Sequence, residues 1–291
     1  MGLTKKGMLC TTGAMAMLFA GTAGVSAYQE IKEEVLNEKE KQKKEEEFIA
    51  QEKEKKKALI AKYTGTKGEY VSYAYDAQSV SEMLMTKKYS SDEKMVFYTF
   101  DNLTSSSVVN TVTQMFDEYN AKGTFFYTGS QVERATSTLG PTIQKLYENG
   151  NAIGNRSYSD SYRKLFPGGR INIDNFKEEY AKTDSVLQGI LGENFKTRAY
   201  RCPGGSVSWR GVNDFSKEHS EKDSFGIIDW NVAPSSGGTG EAIAEKTIKA
   251  SEGKDVVVIL VPNLNEEKML EFLKTSMKWY NSNGYSFKSL G

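Results

Sequence analysis

Histidine is almost absent from this chain: its 291 residues hold one, His219. A metal site built on two histidines is therefore excluded within a single copy. Cysteine is nearly as scarce. Cys10 and Cys202 are too few for a disulfide framework, and if the N-terminus is cleaved only Cys202 remains. Net charge is missing as well. The 38 basic residues balance 38 acidic ones, so no global field argues for a nucleic-acid partner. What is present suffices for a sizeable core: 38% of residues are hydrophobic and 11% aromatic. The length fits one large domain or two small ones.

Residues 1–27 read as a targeting segment. Lys5 and Lys6 give a positive start, Gly7 to Gly24 is small, apolar and uncharged, and Val25-Ser26-Ala27 resembles a small-x-small cleavage site. The alternative is an uncleaved membrane anchor, because the run approaches the roughly 17–20 residues that a spanning helix needs. Either way the location is extracytoplasmic, secreted or held at the cell membrane. Cys10 lies too early, and after the wrong residues, to be a lipid-attachment cysteine.

Residues 28–62 read as a charged helical linker. Within it 29–57 is dominated by Glu, Lys and Gln, and Asn37 to Glu47 has no apolar residue. A coiled coil requires sustained apolar a and d positions, so a solvated helix supported by Glu–Lys pairs is the better reading. Dimerisation or protein binding through 29–57 is the alternative. Residues 63–93, with Gly65, Gly68 and the tyrosines Tyr70, Tyr73 and Tyr75, read as a lead-in to the main domain, 94–291.

From residue 94 strands and helices alternate. Strands are expected over 95–100, 124–127, 152–154, 198–200, 225–230, 256–261 and 285–287. Helices are expected over 108–119, 139–147 (entered through Gly140-Pro141), 176–191, 243–250 and 268–279. Alternation implies parallel pairing through crossovers, with functional residues at the C-terminal ends of the strands. Asp101, Arg156, Arg201, Asp229 and Pro262 fall there.

Five strand ends carry the chemistry. They are Thr99-Phe100-Asp101-Asn102, Asn155-Arg156-Ser157-Tyr158-Ser159-Asp160, Tyr200-Arg201-Cys202-Pro203-Gly204-Gly205-Ser206, Asp229-Trp230-Asn231 and Leu260-Val261-Pro262-Asn263. Their order and spacing resemble the polysaccharide deacetylases of the NodB-homology family, carbohydrate esterase family 4. Tyr119 to Gly129 also looks like that family's second strand. The resemblance implies a distorted (β/α) barrel that removes acetyl groups from chitin-like or peptidoglycan sugars. It implies a divalent metal, such as zinc, held by one aspartate and two histidines, polarising the acetyl carbonyl and activating water.

Carried over residue by residue, the resemblance makes Asp101 the general base. Asn102 replaces a metal-binding carboxylate. Arg156 and Asp160 replace the two metal histidines, and a guanidinium has no lone pair to offer a cation. Arg201 matches the arginine that orients the base, and Asp229 the residue that tethers it. Gly204 matches an oxyanion-hole N–H, Trp230 an aromatic wall, and Leu260 the lining of the acetyl pocket. Pro262 stands where the acid histidine belongs, and proline cannot exchange a proton. No cofactor is expected, with zinc or another divalent metal the expectation if the chain is active. Arg156 is expected to supply the pocket's positive charge, partnered by Asp101 and Asp160.

Bland readings stand beside these. Asp101 reads first as a buried partner of Arg156 or Arg201. Tyr158, Trp209 and Trp230 suit either a sugar ring or rim packing. His219 reads as a solvated helix residue, and Cys202 as simply buried. The leading functional expectation is an exported, catalytically degenerate module that binds cell-wall polysaccharide or peptidoglycan. The alternatives are an active, divergent deacetylase and a structural or protein-interaction module.

Overall fold

The computed structural model describes residues 22–62, 64–223 and 225–291. Most of the targeting segment and the side chain of His219 lie outside the described residues. The chain divides into two units, Met1–Ala58 and Leu59–Gly291. Helix α1 (Thr22–Lys62) carries Lys43–Glu47 and Lys55–Glu52 ion pairs at 3.8 and 3.0 Å. Its described apolar side chains, among them Ile31, Leu36, Phe48 and Ile49, are exposed. Among the described residues no helix is long and apolar enough to cross a membrane.

The second unit alternates as β1 (Ala74–Tyr75), α2 (Ala77–Thr86), β2 (Met95–Asp101), α3 (Ser106–Glu118), β3 (Thr124–Tyr127), α4 (Gly129–Arg134) and α5 (Thr136–Glu148). It continues as β4 (Ala152–Asn155), α6 (Tyr162–Leu165), α7 (Ile173–Leu191), β5 (Ala199–Tyr200), α8 (Val212–Asp223) and β6 (Gly226–Ile227). It ends as α9 (Gly240–Ser251), β7 (Val256–Leu260), α10 (Glu266–Ser282), β8 (Ser286–Phe287) and β9 (Ser289–Leu290). Side-chain caps fix several helix starts ahead of their apolar periodicity. Ser105, Asn172, Thr239 and Asn265 each accept the N–H three residues on.

Six strands lie parallel in the order β6-β5-β4-β3-β2-β7. Strand β8 pairs with Met95 and Val96, ahead of the Thr99↔Thr124 register between β2 and β3. Beyond β6 the chain runs on to bridge Val232 with Ile259 of β7. Asn231 helps by mimicking a strand: its Oδ1 accepts from the Val258 N–H and its Nδ2 donates to the Val256 carbonyl, both at 2.8 Å. The two sheet edges are thereby joined, and the sheet curls into the expected distorted (β/α) barrel.

Two of the expected elements differ markedly. The apolar run 225–230 pairs as a strand only over Gly226–Ile227, because Asp229 and Trp230 leave the ladder to form the site described below. Helix α5 starts at Thr136 and holds Pro141 inside it. It follows α4 across Ala135 alone, so the preceding helix and not the proline sets its start.

Strand parity sorts the side chains. Val96, Tyr98, Phe100, Phe125 and Tyr127 face the helices in one cluster. Met95, Phe97, Phe126, Ala199, Ile228, Val256 and Val258 face the barrel interior in another. The lead-in segment completes that interior: Ala77, Val80 and Leu84 of α2 join the same cluster, and β1 pairs with β9. Gly226 marks the close approach, since a Cβ there would stand 2.0 Å from the Ala77 carbonyl oxygen. Gly226→Ala is therefore expected to push α2 off β6 and cost about 2–3 kcal/mol. Urea unfolding of the variant beside the parent checks this.

Candidate functional site

Period-two alternation carries the interior parity to the strand ends. Met95, Phe97 and Thr99 lead to Asp101. Ala152 and Gly154 lead to Arg156, and Ala199 leads to Arg201. Gly226 and Ile228 lead to Trp230, while Val256 and Val258 lead to Leu260 and Pro262. Thr99 pairs with Leu260, so the same register carried two residues further sets Pro262 beside Asp101. Leu260 and Pro262 are both half-buried.

Asp101 is held from two sides. Arg201 Nη1 donates to its Oδ1 at 2.8 Å, and Arg156 Nε donates to its Oδ2 at 3.1 Å. Arg156 Nη1 also donates to Asp160 Oδ2 at 2.7 Å. Two cations thus meet two carboxylates. Burial on its own lowers the pKa of Arg156, but Asp101 and Asp160 outweigh it and hold the guanidinium above its ordinary value. Burial dominates at Asp160, whose carboxyl lies above the usual carboxylate range despite Arg156.

Arg201 is completely buried. Its Nε donates to the Ile228 carbonyl at 3.0 Å and its Nη2 to the Asp229 carbonyl at 3.4 Å. The guanidinium lies 4.2 Å from the Phe126 ring centre and 5.5 Å from that of Trp230, within cation–π range. Gly154 makes room for this arrangement, since a Cβ there would come within 2.5 Å of Phe126.

Asp229 corrects an expectation. It meets Arg201 through its backbone carbonyl, not its carboxylate. The carboxylate instead accepts from the Ser206 N–H at 2.8 Å and the Ser206 hydroxyl at 2.7 Å, and so shapes the 203–206 loop. In that loop Gly204 is exposed, with φ +72°. Trp209 braces the loop from behind: its Nε1 donates to the Pro203 carbonyl at 2.7 Å and its ring stacks on Phe166 at 4.5 Å. Cys202 is buried, and burial pushes its thiol well above the ordinary range.

Tyr158, which suits either a sugar ring or rim packing, is half-buried and tied to its neighbours. Its hydroxyl donates to Glu133, Lys182 Nζ sits 3.7 Å from its ring centre, and its ring edge crowds Gly129. Asn102 is likewise committed. At φ +49° its Nδ2 donates to Thr128 Oγ1 at 3.1 Å and its Oδ1 accepts from the Thr128 N–H at 2.9 Å.

The turn that presents Arg156 rests on partners outside the five strand-end segments. Asn155 is buried. Its Oδ1 accepts from the Ser157 N–H at 3.0 Å, and its Nδ2 donates to Asp184 at 3.3 Å. Ser157, at φ +57°, accepts the Asp160 N–H at 2.9 Å. Glu179 accepts from the Ser159 N–H and hydroxyl at 2.7 and 2.8 Å. No local signal in the sequence announces Asp184 or Glu179, because they lie on α7.

Burial pushes the Asp184 carboxyl up to about 6, against hydrogen bonds from Thr197 and Asn155. A raised folded-state pKa adds stability below the ordinary carboxylate value, and that stability is lost as pH rises through about 6. Asp184→Asn is therefore expected to flatten stability between pH 4 and 7, removing a slope on the order of 2–3 kcal/mol. Paired urea titrations at the two pH values check it.

A divalent metal does not fit these residues. The Arg156 guanidinium lies between the two carboxylates and offers hydrogen-bond donors, not lone pairs. Asn102 presents a neutral amide already bonded to Thr128. Among the described residues no three His, Cys, Asp or Glu side chains are placed to hold a metal ion.

Residues 88–218 match the family model described as polysaccharide deacetylase. No curated protein matches the chain. Among solved structures, a CE4 esterase from Streptococcus mutans is 26% identical, with a TM-score of 0.67 over 78% of this chain and 95% of its own. The catalytic domain of a peptidoglycan N-acetylglucosamine deacetylase from Eubacterium rectale is 20% identical, with a TM-score of 0.56 over 69% of this chain and 90% of its own. A CE4 family pseudoenzyme from Bacillus anthracis is 18% identical, with a TM-score of 0.54 over 68% of this chain and 64% of its own. The family model over residues 88–218 shows that the chain contains a polysaccharide deacetylase domain, and the solved structures show that its barrel has the NodB-type fold of carbohydrate esterase family 4.

Proposed function

We propose that this protein is an exported member of its family in which metal-dependent deacetylation has been retired, and that the barrel mouth binds acetylated cell-wall glycan without cleaving it. One observation carries the reading: Arg156 bonds both Asp101 and Asp160, as a fixed cation at the turn where the family's histidines hold the metal. Asn102 and Pro262 support it, since neither an amide nor a proline ring replaces a metal-binding carboxylate or an acid histidine. The mouth keeps groups that a sugar can use. Arg156 Nη2 has no acceptor among the described residues, Gly204 is exposed, and Trp230 and Leu260 are each half-buried.

In this reading residues 1–27 export the chain or anchor it at the membrane, and the charged 28–62 helix spaces the domain from that surface. The test is cosedimentation with insoluble peptidoglycan and chitin, with acetate measured in the same tubes after adding zinc or cobalt. Retention without acetate is the expected result. Acetate release that Asp101→Ala abolishes would overturn the proposal in favour of a divergent active deacetylase. Neither retention nor acetate would overturn it in favour of a protein-interaction module.

A further inference from the structure

At the opposite pole of the barrel lies a second opening. Strand β2 runs from Met95, paired with Ser286, to Asp101, so the two poles are about 20 Å apart along the strand. Where α3, α10 and the segment before β1 end together, they leave a cavity of about 300 Å³, within the size range of small-ligand sites. Its walls include Tyr73, Tyr119, Asn120, Asn281, Ser286 and Lys288.

The walls are fixed. Tyr119 packs edge-on against Phe287 with ring centres 6.0 Å apart. Tyr73 is tied by its N–H to the Tyr70 carbonyl at 3.0 Å and by its carbonyl to the Ser289 N–H at 2.9 Å. Asn120 sits at φ +49°, a left-handed conformation that asparagine tolerates. The polar groups are uncommitted: among the described residues, the Tyr73 and Tyr119 hydroxyls, the Asn120 and Asn281 amides and the Ser286 hydroxyl have no partner. The one charged side chain of the six, Lys288, is paired with Glu93 at 3.5 Å.

That combination selects a ligand class. With its lysine neutralised, the cavity has no excess charge for a phosphate or carboxylate. Its exposed polar groups do not suit an aliphatic chain. Half-buried aromatic rings beside free amides and hydroxyls suit a neutral polyhydroxylated ring, which stacks its C–H face on tyrosine and pairs its hydroxyls with asparagine. We propose that this cavity is a second carbohydrate site, taking a neutral oligosaccharide at the pole opposite Arg156. The inference does not rest on what the barrel mouth binds.

The test is a titration of the full chain with chitotetraose, followed through assigned backbone amide resonances. Asn120, Asn281 and Lys288 are expected to shift together and saturate. Asn281→Ala, at an exposed helix position, and Tyr119→Phe, which keeps the ring, are each expected to weaken that event about tenfold without moving the melting temperature. Absence of a saturable shift at these amides would overturn the proposal. So would a shift that both variants leave unchanged.

Discussion

Arg201→Met is expected to destabilise this protein by about 3–5 kcal/mol, a fall of roughly 10 °C in melting temperature for a domain of this size. The side chain is completely buried and serves three acceptors: Asp101, the Ile228 carbonyl and the Asp229 carbonyl. Methionine fills much of the volume but leaves both carbonyls without their donor. It also leaves Asp101 with Arg156 as its one cation. Arg201→Lys is expected to recover little, because one ammonium cannot reproduce the flat fork that meets three acceptors and lies on Phe126. Calorimetric melting of the parent and the two variants measures both effects. A loss under 1 kcal/mol in the methionine variant would show that the arginine network is incidental.

The second large effect is a gain. Asn102→Asp, Arg156→His and Asp160→His, made together, are expected to create zinc binding about a thousandfold tighter than any in the parent. Arg156 is the obstacle, because its guanidinium joins the carboxylates that a metal would otherwise join. The Asn102 change should be tolerated locally. Thr128 keeps its N–H bond to Oδ1, and its hydroxyl turns from acceptor to donor. Arg156→Leu is the control, since it removes the cation without supplying ligands and is expected to gain no tight zinc. Pro262 still provides no acid, so deacetylation in the triple variant should stay slow. Equilibrium dialysis with zinc decides the outcome, and a triple variant that binds no better than the parent would mean that the turn no longer holds family geometry.

The barrel was legible because its strands are short, continuous runs of buried apolar residues. Met95–Asp101 and Thr124–Tyr127 need no knowledge of distant partners to be recognised. Helix α2 escaped because Ala77, Val80 and Leu84 sit among Gln, Ser and Glu, and their burial depends on β6, some 150 residues away. The strand-end residues could be ordered from the sequence, and Arg156 does bond Asp101 and Asp160. Which atom of each residue does the work was not legible. Asp229 offers Arg201 its backbone because Ser206 claims its carboxylate. Tyr158 is bonded to Glu133 and lies under Lys182. Asn155 depends on Asp184, from a helix that no motif links to it. Each of these is settled by three-dimensional neighbours and not by spacing along the chain.

Arg156 bonds the two carboxylates that a catalytic metal would otherwise join. The most direct test is a zinc titration of the unmodified protein, followed by calorimetry, with acetate release from acetylated chitooligosaccharides measured on the same sample. No saturable zinc binding and no acetate above a protein-free blank are expected. One equivalent of zinc bound with micromolar or tighter affinity, together with acetate release that Asp101→Ala removes, would contradict that expectation.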